Sequence, residues 1–230
     1  NESIFILKGN IIYSKSLTEF EICEHGYLVC REGHVEGVYQ TLPFRLGGNP
    51  VYDYGDCLIV PGLVDLHIHA PQYSFRGLGM DMELLEWLET NTFPEEAKYE
   101  SADYARKAYG IFADNMRKSA ATRACIFGTV HREATLLLMD MMEKTGLDTM
   151  IGKVNMDRNC PDYIIEETEE SAGETLEWIK DVLHRKYKNT HPILTPRFTP
   201  SCTDELMEEL KKLQMRYGLP LQSHLSENQG

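Results

Sequence analysis

Much that would narrow the function of these 230 residues by itself is missing. No run approaches the 18 apolar residues that a membrane-spanning helix needs. No CxxC pair occurs; the six cysteines are scattered at 23, 30, 57, 125, 160 and 202. A chain of this length builds a core without covalent staples, so these read as reduced thiols of a cytoplasmic protein. Basic residues are in deficit: 23 Lys+Arg against 36 Asp+Glu give a formal charge of -13. Such a surface repels phosphate backbones and anionic lipid, so neither nucleic acid nor membrane is expected as a partner. Asn1-Glu2-Ser3-Ile4 opens without a basic stretch and a following apolar block, so no signal peptide is expected. No Met stands first, which reads as trimming.

What is present falls into two patterns. Residues 1–60 hold short β-rich pieces, among them Ile4-Phe5-Ile6-Leu7, Ile11-Ile12-Tyr13 and Tyr27-Leu28-Val29-Cys30, with Gly or charged breaks between them. They predict a small β domain. From residue 61 strands alternate with longer helices. Strands are expected at 63–69, 124–129, 150–154, 192–196 and 221–225, and helices at 82–90, 102–118, 134–144, 169–188 and 203–217. The first helix should stop near Pro94, and the last at Gly218, a C-cap followed by Pro220. Alternation of this kind means βα units around a mainly parallel sheet. The fold class expected is therefore α/β: a partial (β/α)8 TIM-type barrel, residues 61–230, after the small β domain. A closed barrel needs eight strands, and five are read here. The chain also ends just past a strand, so the barrel reads as cut before closure.

Pro61-Gly62-Leu63-Val64-Asp65-Leu66-His67-Ile68-His69 is the sharpest feature. Side chains at i and i+2 of a strand share a face, so His67 and His69 project together with Cα atoms roughly 6–7 Å apart. Two imidazoles so placed can bind one metal ion at about 2.0–2.1 Å each, at the strand end where barrel enzymes carry their chemistry. HxH alone is a weak motif, and two ordinary strand histidines would read the same. His224-Leu225-Ser226-Glu227 ends the fifth expected strand. It adds a third imidazole at that level and a carboxylate that can work beside a metal. Ser226 and Glu227 also suit a helix start. The expectation is that the three imidazoles converge on one point.

Taken in order, several blocks resemble the guanine deaminase family of the zinc-dependent amidohydrolase superfamily. They are the HxH block with His69-Ala70-Pro71-Gln72-Tyr73-Ser74-Phe75, Leu84-Leu85-Glu86-Trp87-Leu88, Thr92-Phe93-Pro94-Glu95, Gly152-Lys153-Val154-Asn155-Met156-Asp157, Thr195-Pro196-Arg197-Phe198 and Gln222-Ser223-His224-Leu225-Ser226-Glu227-Asn228. The resemblance implies one zinc ion per subunit on His67, His69 and His224. It implies a purine site of Gln72, Arg197 and Phe198, with Glu227 as catalytic acid/base. Arg197 offers a planar fork of donors suited to the oxygen and ring-nitrogen edge of guanine. On residue type alone, Arg197 would be a surface ion-pair partner, Phe198 core packing and Gln72 a loop residue. The implied reaction is hydrolysis of guanine to xanthine and ammonia, by a homodimer.

The family also uses an Asp ligand and a further His from later barrel strands, which have no counterpart here; Asp65 and Asp157 do not stand at matching positions. Ala121 stands where the family usually has Gly, which would strain a turn needing positive φ. Rival readings are an inactive fragment that binds a metal or a partner, and an amidohydrolase acting on another amino-substituted nitrogen heterocycle. The other zinc deaminase class needs an HxE and a PCxxC. His131-Arg132-Glu133 fits the first half, and no PCxxC exists.

Overall fold

A computed structural model describes residues 3–227; Asn228, which closes the last of the blocks above, lies outside them. The chain divides between Gly62 and Leu63. The first unit is a four-stranded sheet in the order β3-β2-β1-β4, made of β1 (Ile4–Ser14), β2 (Phe20–Arg31), β3 (His34–Tyr39) and β4 (Val51–Ile59). β1 pairs antiparallel with β2 and parallel with β4. Ile6, Val29 and Leu46 form its small core. β4 was not distinguished in the sequence, where Tyr52-Asp53-Tyr54-Gly55-Asp56 lacks an apolar alternation.

The second unit is α/β, a partial barrel. β5 (Leu63–His69), β6 (Ala121–Phe127), β7 (Asp148–Gly152) and β9 (Thr190–Pro192) form a parallel sheet in that order. β8 (Val154–Asn155) and β10 (Thr195–Pro196) pair beyond the ends of β7 and β9. The fifth expected strand joins through two isolated parallel bridges, Leu194 to Leu221 and Phe198 to His224. Proline explains part of the fragmentation: Pro192 and Pro196 have no N–H to give a ladder. Gly152 is required where the strands draw close, because a Cβ there would lie 1.8 Å from Thr195 Oγ1.

Helices cover the outer face. α3 (Ala102–Lys118) starts where the Ser101 side chain accepts from Tyr104 N, and it buries Ala105, Tyr109, Phe112 and Met116. That is one face at helical spacing. α4 (Arg132–Glu143) buries Leu138, Met139 and Met142, and α5 (Thr168–Arg185) buries Trp178, Ile179 and Val182. α6 (Asp204–Tyr217) is capped by Thr203 and ends on Gly218 at φ 65°, as the Gly–Leu–Pro punctuation predicts. Each fully buried large apolar side chain is worth about 1.5–3 kcal/mol, and these helices supply most of the core around the sheet.

Two expectations fail. The helix near residue 84 does not stop before Pro94. α1 (Leu84–Trp87) runs through a π-helical turn, Leu88–Thr92, into α2 (Phe93–Ala97). Phe93 N–H bonds back to Leu88 O, five residues earlier, so the widened turn accommodates a residue that cannot donate. Pro94 then sits in the first turn of α2, where its missing N–H costs nothing. Ala121 is the first residue of β6 and is not among the residues of positive φ, so the substitution for Gly carries no strain.

Candidate active site

The site forms where the strands end. His67 and His69 stand on β5, two residues apart. His224 is held by its backbone bridge to Phe198, its N–H donates to Arg197 O at 3.1 Å, and its Nδ1 lies 2.6 Å from the same carbonyl. One ligand nitrogen from each of the three imidazoles lies within 4.8 Å of the others. His69 Nε2 and His224 Nε2 are 3.0 Å apart. Four ligands arranged tetrahedrally at about 2.1 Å would sit about 3.4 Å from one another, so this donor set fits a single cation. Phe127 stacks on His69 with ring centroids 4.4 Å apart, fixing that ring from behind. Burial foremost, then the charges of Arg197, His224 and His67, holds His69 well below the usual imidazole range. Burial likewise lowers His224. A neutral imidazole is the form that ligates metals. Among the described residues no carboxylate joins this group. Asp65 Oδ1 accepts from His67 N, and Asp157 accepts from Thr168 and Thr203; both are occupied with local structure.

A cavity of about 310 Å³ opens over the histidines, lined further by Gln72, Trp87, Leu88, Arg197, Phe198 and Glu227. Gln72 comes from the short 3-10 turn Pro71–Phe75 that follows β5, with its amide nitrogen 3.2 Å from His69 Nδ1. Arg197 is 2% exposed; Phe198, half-buried, faces His224 edge-on at 6.4 Å between centroids. Glu227 is exposed at the rim. Ser226 before it has φ 56°, a left-handed bend uncommon for a residue with a Cβ and frequent at functional sites. The structure thus gathers all seven residues singled out in the sequence around one cavity. A larger cleft of about 570 Å³ lies between the helices, where Arg132 and Arg185 already pair with Asp181 and Asp140. His131 is there, away from the three clustered histidines.

The sequence reading missed Glu96. It is fully buried, and its Oε2 accepts from Arg197 Nη1 at 2.7 Å while Oε1 accepts from the Gln72 amide at 3.3 Å. The signal was a second acidic residue immediately after the Phe93-Pro94-Glu95 block.

The profile of the amidohydrolase family matches residues 58–230. A guanine deaminase of Dictyostelium discoideum is 38% identical over 99% of this chain and 54% of its own length. One from Mus musculus is 46% identical over 74% of this chain and 37% of its own. Among solved structures, guanine deaminase from C. acetobutylicum, with bound guanine in the active site, superposes with a TM-score of 0.93 at 45% identity. That match covers 99% of this chain and 54% of the other. The chain spans about half the length, or less, of these relatives.

Proposed function

The chain belongs to the amidohydrolase family, and on that premise we propose that the protein hydrolyses guanine to xanthine and ammonia with one zinc ion per subunit. The observation that carries the proposal is the convergence of three imidazoles within 4.8 Å beneath a cavity lined by Gln72, Arg197 and Phe198. The relative solved with guanine in its active site supports the choice of substrate.

His67, His69 and His224 would hold the zinc ion. When bound, zinc lowers the pKa of a water from about 15.7 to about 7, so that a nucleophile exists at neutral pH. The chain's own residues do the rest. Arg197 directs guanidinium donors at the oxo edge of the purine, and Gln72 fixes the ring in its plane. Phe198 closes the apolar face and excludes water. Glu227, at the rim, delivers a proton to a ring nitrogen as the carbon bearing the amino group becomes tetrahedral. Both protons come from the attacking water: Glu227 takes the first before giving it to the ring, then takes the second from the added oxygen and passes it to the departing nitrogen, which leaves as ammonia. Water supplies the oxygen retained in xanthine, so the atoms balance.

We place the protein in the cytoplasm as a homodimer. No helix among the described residues is long and apolar enough to cross a membrane. The deciding experiment measures metal content and xanthine formation on purified protein. About one zinc per chain is expected, with guanine turnover lost on chelation and restored by zinc. Zinc bound without any guanine turnover would overturn the proposed reaction. Turnover that survives complete zinc removal would overturn the metal's part in it.

A further inference from the structure

We propose that Glu96 is a positioning residue that aims Arg197 and Gln72 together, and so sets which edge of a purine the cavity accepts; this rests on the function proposed above. Glu96 lies on α2, and Arg197 follows β10, 101 residues later. Their side chains are 0% and 3% exposed, so the pair is shielded from solvent. A carboxylate is an acceptor at both oxygens. One oxygen takes an N–H of Arg197 and the other takes the Gln72 amide nitrogen. A single buried group therefore fixes the roll of the guanidinium plane and the orientation of the carboxamide. Because the amide nitrogen is held between Glu96 and His69 Nδ1, the carboxamide oxygen is the free end of Gln72. Among the described residues the guanidinium has this one hydrogen-bond partner, and its remaining donors are uncommitted. The Phe93 ring, 5.2 Å from Arg197 Cζ, backs the same group. The π-helical turn before Phe93 sets the phase of α2 and hence the direction in which Glu96 points.

Glu96 acts through its partners and is neither a lining residue of the cavity nor a member of the histidine cluster, so removing its charge should loosen recognition and leave zinc in place. The test uses Glu96→Gln and Glu96→Asp in the full protein. Guanine and 2-aminopurine, which lacks the oxo group that Arg197 would read, are compared as substrates, with zinc content and thermal unfolding measured alongside. For Glu96→Gln the expected result is KM for guanine raised about tenfold or more. The fall in kcat should be smaller, zinc normal, and the preference for guanine over 2-aminopurine compressed. Glu96→Asp keeps the charge at a shorter reach and should recover part of that preference; it stands in as the test if Glu96→Gln does not fold. Equal losses on both substrates, or an unchanged KM in a folded variant, would overturn the proposal. A wild-type protein that does not process guanine would fail the underlying reaction instead, and direct binding of guanine and 2-aminopurine to the same variants would then decide the role of Glu96: unaltered selectivity in binding overturns it.

Discussion

Lys153 and Arg197 are two buried cations at the ends of neighbouring strands, each paired with a carboxylate, and they do different things. Lys153 follows β7 and is fully buried. Its Nζ donates to Glu166 at 2.5 Å and to Val154 O at 3.2 Å. The other oxygen of Glu166 accepts from Ser171 Oγ at 2.8 Å and from Met156 N. Every charge there is answered from within, and the network joins α5 to the sheet. Arg197 has Glu96 on one nitrogen and an open cavity before the others. Burial and pairing are alike in the two; what separates them is that Arg197 lines the cavity over the histidines and Lys153 does not. A closed network holds the fold, and an incomplete one beside a cavity can hold a ligand.

The largest effect should come from breaking the closed network. Glu166→Ala strands the Lys153 ammonium in the interior and should cost about 3–5 kcal/mol of stability, read by denaturant unfolding. A loss under about 1 kcal/mol would mean that water reaches Lys153 and that the comparison fails. Arg197→Lys tests the open network. A point ammonium cannot reproduce a planar fork, so guanine kcat/KM should fall by about ten- to a hundredfold, with zinc content near normal. Unchanged efficiency would remove Arg197 from the substrate site. The smallest effect should come from Lys212→Ala, which removes an exposed pair with Glu209. Its shift in stability should stay within about 0.5 kcal/mol, and a larger one would show that pairing matters without burial.

His67 and His69 were legible because strand parity is local: i and i+2 share a face whatever the rest of the chain does; His224 was legible from its place at the end of the fifth expected strand. The helices α3 and α6, the second with its Gly218 stop, were legible from equally local signals, whereas their Ser101 and Thr203 caps emerged only in the structure. Gln72, Arg197 and Phe198 were picked out only through the resemblance, since their residue types alone suggested loop, surface and core. Glu96 was hidden because its partner is 101 residues away and an acidic pair in a helix's first turn has a sufficient local explanation. Pro94 misled because a π turn is set by packing rather than by composition.

β5 lies at one edge of the parallel sheet, and the segment bearing His224 bridges to its far side. Yet His69 and His224, 155 residues apart, stand with their nitrogens 3.0 Å from each other. The sheet must curl for this to happen, and an ion gripped by both would act as a buckle between its two margins. Holding the ion and holding the curl then become one equilibrium, with each favouring the other by the same factor. At about a hundredfold excess over its dissociation constant, such an ion adds about 2.7 kcal/mol to the folded state. A substitution far from the histidines that flattens the sheet would weaken the grip by as much as loss of the ion relaxes the curl.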